Sequence, residues 1–170
     1  MRGQFGVTLI ELARKDKRIV LLTADVLCPA LNAFAEKFPD RFFNLGLCEQ
    51  TIIGIAGGLA SQGLRPVVFS ISPFVLERPF EAIKIDIDES NLPVILAGYS
   101  GYPGYGPTHR ALDIKKTVDI FKNVTGYYPR DNEETHHALT EAYLTGNPSF
   151  ISLKKLGAHY VPKGDSVCNE

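Results

Sequence analysis

The stretch FFNLGLCEQTIIGIAGGLASQGLRPVVFS, residues 42–70, reads as a short apolar strand (42–45), a helix rich in Ile, Ala and Gly (50–62) and a second strand, PVVFS, at 66–70. A helix of ten or more residues between two strands is the crossover that parallel neighbours require. The same alternation continues outward in both directions. Toward the N-terminus the spacing predicts a helix over 5–13, the strand RIVLLT at 18–23 and a helix over 30–38. Toward the C-terminus it predicts a helix over 74–87, the strand PVILA at 93–97, a helix over 110–121, a strand over 124–128, a helix over 132–145 and the strand SFISL at 149–153. Continuous apolar runs of this length belong to strands covered on both faces. The expected fold is therefore α/β, an open, mostly parallel sheet with helices on both faces. In such sheets ligands gather beyond the carboxyl ends of the strands. That places residues 24–26, 46–50, 70–74 and the Gly- and Tyr-rich loop 98–109 where a site is expected.

The chain has 170 residues, 45% hydrophobic and 22% charged, enough for one globular domain, expected over residues 1–157, with a polar tail over 158–170. A net charge of -1 with interspersed signs offers no basic stripe, so neither nucleic acid nor a membrane surface is an expected partner. Cys28, Cys48 and Cys168 are odd in number and widely spaced, which fits neither a disulfide framework nor a zinc site. The N-terminal segment lacks the apolar core of a signal peptide. A cytoplasmic protein is the expectation.

The segment FPDRFFNLGLCEQ at 38–50, followed by GIAGGLA at 54–60, strongly resembles the start of the cofactor-activating helix of transketolases. Further matches follow in order: residues 70–78, an aromatic segment ending in Arg; NLPV at 91–94; Gly-Pro-Thr-His at 106–109; and YPRDNEE at 128–134. The ordered series runs from about Arg2 to Lys155 and resembles the pyrimidine-binding domain of the transketolase family, as in the C-terminal subunit of a split transketolase without the family's third domain. The resemblance implies the thiamine diphosphate-binding fold of the pyrimidine type and thiamine diphosphate as cofactor.

It also implies roles residue by residue. Glu49 falls where the family's glutamate hydrogen-bonds the aminopyrimidine nitrogen opposite the amino group, favouring the imino tautomer that takes the proton from the thiazolium carbon. Phe74 falls on an aromatic that stacks on the pyrimidine, and Ile71 on a position that is aromatic in relatives. Asp25 matches an aspartate near the cofactor and the neighbouring subunit. His109 matches a substrate-facing histidine suited to hydrogen-bonding a carbonyl oxygen or moving protons near neutral pH. Read without the motif, each has an ordinary explanation: Glu49 a helix first-turn acid, Asp25 a helix cap, Phe74 core, and His109 a solvated loop residue. His136 and His137 gain no motif support and read as the polar side of a helix.

Departures bear on the substrate. An aspartate that reads a sugar hydroxyl in the family is Tyr105 here, and a histidine and serine of its phosphate site are Ala97 or Gly98 and Pro29; Arg2 and Lys155 keep basic character near the mouth. Losing groups built to pair with a hydroxylated sugar weakens selection for it. No cluster has metal-ligand spacing, and the family's Gly-Asp-Gly motif for the diphosphate and its metal does not occur. The resemblance thus implies a separate diphosphate-binding subunit that carries Mg2+ or Ca2+, with two copies of each chain and residues 50–60 in the interface. The expected activity is transfer of a two-carbon ketol or acyl unit from a ketose or 2-oxoacid. The alternatives are a subunit like deoxyxylulose-phosphate synthase or a 2-oxoacid dehydrogenase beta-subunit, and a non-catalytic scaffold of the same fold.

Overall fold

The computed structural model describes residues 1–100 and 105–154. Six strands form one sheet: β1 (Ile19–Thr23), β2 (Phe42–Asn44), β3 (Arg65–Ile71), β4 (Ile95–Tyr99), β5 (Thr125–Tyr127) and β6 (Ser149–Leu153). Their order is β2-β1-β3-β4-β6-β5, and every pairing is parallel. The order reverses between β1 and β3, so their carboxyl ends flank the crevice where such sheets bind ligands.

The core lies in two layers because each buried strand feeds both faces. Ile19 and Leu21 point to one face with Val67, Phe69 and Ile95, covered by α1 (Arg2–Lys15), α2 (Pro29–Lys37) and α6 (Asn132–Thr145). Val20 and Leu22 point to the other with Val68, Leu96 and Phe150, covered by α3 (Glu49–Ser61), a helical stretch over 73–88, and α5 (Ile114–Val118). Among the described residues no helix is long and apolar enough to cross a membrane.

Three elements depart from their sequence expectation, each for a local reason. Over 73–88 the chain is not a regular helix: it runs as a π-helical turn (Pro73–Glu77), a short α-turn, α4 (Phe80–Ala82), and a second π-helical segment (Ile83–Asp88). Pro79 has no N–H and its ring collides with the carbonyl four residues back. The Arg78 N–H instead reaches the Pro73 carbonyl at 3.0 Å.

Strand β4 begins two residues late, since Pro93 has no ladder donor and the Val94 N–H bonds Leu92 O at 2.8 Å. It also runs two residues further, through Gly98. That position has room for no side chain: an added Cβ would lie 2.7 Å from Phe150 Cζ and 2.9 Å from Ser72 Oγ.

Helix α5 is shorter than the predicted 110–121. Asp113 caps its start by accepting from the Lys116 N–H at 3.2 Å. Beyond its end, Asp88, 3% exposed, accepts from the N–H groups of Lys122, Asn123 and Val124 at 3.0, 2.6 and 3.0 Å. Donors held by a carboxylate in this way cannot continue a helix.

Candidate active site

Glu49 opens α3, immediately after the N-cap Cys48. Its approach is built from β2. The Asn44 side chain accepts from the Asp25 N–H at 3.0 Å and the Gly46 N–H at 3.2 Å, and donates to Asp25 Oδ1 at 2.8 Å. Asp25 itself takes φ 54, a left-handed conformation that Asp tolerates because its short polar side chain bonds locally. Asn44 therefore ties the end of β1 to the loop that delivers Glu49.

The Glu49 side chain is 10% exposed, and Arg78 Nη1 donates to its Oε1 at 2.8 Å while remaining 42% exposed. Phe74, on the π-helical turn, and Arg78, the residue that caps its end, stand four residues apart and so share a face. The Arg78 guanidinium carbon lies 3.6 Å from the centre of the Phe74 ring. Phe74, 7% exposed, meets His109 edge-on at 5.0 Å between ring centres and 65° between planes. His109 in turn meets the exposed Tyr105 ring at 5.6 Å. Five residues from three stretches of sequence are thus joined by successive contacts at the carboxyl edge of the sheet. The ion pair has one half in water, so it adds at most about 1 kcal/mol to folding.

The His109 turn (Pro107–His109) is closed by its N–H bonding Gly106 O at 3.1 Å, with Gly106 at φ 97, a conformation that favours glycine. Thr108 Oγ1 sits 3.0 Å from His109 Nδ1. Glu77 Oε1 accepts from the Leu112 N–H at 2.7 Å and pins the chain that follows. Just past the ends of β3 and β4, Ser72 and Ser100 share a hydrogen bond of 2.6 Å, and the buried hydroxyl of Ser70 has no partner among the described residues.

The other sequence candidates fall as follows. Ile71 ends β3, 3% exposed, packed in the core layer that also holds Phe74 and Tyr99. Arg2 starts α1 with its guanidinium 3.9 Å from the centre of the Tyr99 ring, at the end of β4. Ala97 is wholly buried in β4, and Pro29 starts α2. Lys155 and the tail 158–170 lie outside the described residues, as do residues 101–104 of the Gly- and Tyr-rich loop. His136 is more than a polar surface residue: its Nδ1 is 3.1 Å from Oγ1 of the buried Thr8, linking α6 to α1.

Sequence reasoning gave no role to Asn44 or Glu77 and singled out Arg78 only as part of a motif. Asn44 lies inside the segment 38–50, but nothing local says that it will meet Asp25. Glu77 carries no sequence signal at all.

Known proteins match the chain in sequence and in fold. The family described as transketolase, pyrimidine binding domain, matches residues 1–158. The 1-deoxy-D-xylulose-5-phosphate synthase of Syntrophus aciditrophicus is 40% identical over 151 residues, 86% of this chain and 23% of that protein. The synthase of the same name from Aquifex aeolicus is 35% identical over 161 residues, 93% of this chain and 26% of that protein. The chain thus spans about a quarter of the length of these relatives. Among solved structures, a split-gene transketolase described as an inactive beta4 tetramer superposes with a TM-score of 0.83 at 30% identity, over 95% of this chain and 53% of that one. A transketolase from Leishmania mexicana gives 0.74 at 20% identity, over 90% and 25%; at that identity the likeness concerns the fold.

Proposed function

We propose, from the premise that this chain belongs to the transketolase pyrimidine-binding domain family, that it is the half of a thiamine diphosphate-dependent transferase that grips the aminopyrimidine, active with a separate diphosphate-binding subunit. The succession Glu49, Arg78, Phe74, His109 carries the reading. It offers what such a ring needs: a carboxylate 10% exposed at a helix start, an aromatic face and a nearby histidine. The donor set fits the group, and the unpartnered Ser70 hydroxyl is a further buried polar atom on the β3 end.

Glu49 holds a proton at the ring nitrogen, and Phe74 fixes the plane of the ring. Asp25 and Ile71 border the cofactor from the ends of β1 and β3. When bound, the cofactor supplies a nucleophilic carbon able to carry a two-carbon ketol or acyl unit. His109, with Nδ1 occupied by Thr108, presents Nε2 to a substrate carbonyl oxygen, hydrogen-bonding it or passing it a proton. Tyr105 and Arg2 stand on the substrate side. The Mg2+ or Ca2+ that neutralises the diphosphate belongs to the partner, and the exposed side of α3 meets it. A split-gene neighbour supports a separate partner chain; two copies of each chain in a cytoplasmic heterotetramer complete the reading.

A second reading concerns the donor. Tyr105 stands in place of a carboxylate that would pair with a sugar hydroxyl, and the curated relatives at 35–40% identity are named as a deoxyxylulose-phosphate synthase. Both favour a decarboxylating 2-oxoacid donor over an ordinary ketose.

The test is to co-express the chain with a diphosphate-motif subunit, add thiamine diphosphate and magnesium, and follow consumption of ketose and 2-oxoacid donors. Glu49→Ala is expected to cut turnover at least a hundredfold, the usual scale for a lost proton-transfer group. Turnover indifferent to Glu49→Ala removes its role, and a complex that binds no cofactor favours a scaffold.

A further inference from the structure

We infer that Arg78 is a built-in surrogate for the aminopyrimidine, seated on Glu49 and Phe74 in the free chain and displaced from both when the ring enters. The inference rests on the cofactor reading above and adds a step to it. A guanidinium and an aminopyrimidine are alike in what they ask of a site. Each is planar, carries hydrogen-bonding nitrogen in its own plane and presents a flat face to an aromatic ring. Arg78 uses both features at once: Nη1 lies 2.8 Å from Glu49 Oε1, and the guanidinium carbon lies 3.6 Å from the centre of the Phe74 ring. Those are the carboxylate and the aromatic face that the cofactor requires, so Arg78 and the ring compete for the same two surfaces.

Burial decides which partner yields. Glu49 and Phe74 are 10% and 7% exposed, and Phe74 is further held by the His109 ring. Arg78 is 42% exposed and can swing its head into water without opening a cavity. While seated, it keeps a largely buried carboxylate from standing without a counter-charge, which is costly. The exchange therefore replaces one neutralised, stacked state of Glu49 and Phe74 by another.

This differs from a role in which Arg78 stays bonded to Glu49 and positions it for the ring. The experiment titrates the 170-residue chain with the isolated hydroxymethyl aminopyrimidine portion of thiamine, following binding by NMR in the wild type, Arg78→Met, Arg78→Lys and Glu49→Gln. Arg78→Met keeps the length of the side chain and removes its charge and plane. It is expected to tighten binding about tenfold, the combined worth of one half-exposed ion pair and one cation–π contact. Arg78→Lys is expected to fall between.

A second readout is independent of affinity. Rotation about the Arg78 guanidinium bond is expected to be restricted in the free wild-type chain and to become fast as the ring binds. Binding unchanged or weakened in Arg78→Met, or guanidinium rotation that stays restricted in the bound state, overturns the surrogate while leaving the cofactor reading intact. Binding equal in Glu49→Gln and wild type, or no binding by any variant with dispersed spectra, overturns the cofactor reading and the surrogate with it.

Discussion

Asp16 shows how a single side chain can be tied to three elements and how that tie answers to pH. It ends α1, takes a two-pronged contact from the Arg18 guanidinium at 3.0 and 2.9 Å, and accepts from the Tyr143 hydroxyl of α6 at 2.9 Å. The Arg18 side-chain hydrogen bond is the main reason that its carboxyl titrates at about 2. A carboxyl whose folded-state pKa is depressed adds stability that is present above its unfolded value, near ~3.9, and is lost as the pH falls through the folded value. Asp16→Asn is therefore expected to lower the thermal midpoint at neutral pH, with the difference from wild type narrowing between about pH 4 and about pH 2. A gap of constant width in thermal scans across that window would show that the charge is not what matters. Asp16 also illustrates what stays hidden in a sequence. Arg18 is two residues away and legible as a partner, while Tyr143 comes from the far end of the chain. The candidate-site cluster divides in the same way. Glu49, Phe74 and His109 were legible because each sits in an ordered motif. The bonds of Asn44 to Asp25 and of Glu77 to Leu112 arise only when separate loops meet, and no local pattern announces them.

At the scale of elements, the strands were legible wherever both faces are buried, because a run such as RIVLLT leaves no polar side to confuse the reading. Boundaries failed where a distant group decides them. Strand β4 ends two residues beyond its expected end, because Gly98, which looks like the start of a loop, pairs in the sheet. Its glycine is needed for another reason: Phe150 and Ser72 occupy the space a side chain would take. Gly98→Ala places a carbon 2.7 Å from Phe150 Cζ and 3.1 Å from Ser72 Cα, and the second of these is backbone that cannot rotate away. The expected cost is about 1–3 kcal/mol, typical of overpacking, read from the midpoint of urea unfolding. Because Ser72 immediately precedes the π-helical turn that holds Phe74 and Arg78, the variant should also weaken pyrimidine binding by the folded chain. A loss of stability with unchanged binding would separate the strand from the site.

For the whole molecule the question is what covers α3. Its buried side, with Ile52, Ile53, Ala56, Gly57 and Ala60, packs on the sheet, while Thr51, Gly54, Ile55 and Gly58 face outward close to Glu49. Leu47, 70% exposed, and Phe43, 44% exposed, extend this apolar surface along the β2 edge. Apolar side chains beside outward glycines suit the close approach of a second chain. The chain is expected to use this face to pair with a second copy of itself. Two substitutions separate folding from assembly. Gly58 has no atom within 4 Å of where a Cβ would be, so Gly58→Ala should stabilise the helix by about 0.5–1 kcal/mol. Ile55→Arg, at a position 37% exposed, leaves the core untouched and places a charge in the contact. Sedimentation velocity is expected to show Ile55→Arg as a folded monomer at concentrations where the wild-type chain self-associates. A wild type that is already monomeric, or an Ile55→Arg variant that self-associates as the wild type does, would show that this face of α3 is not where the chain meets another.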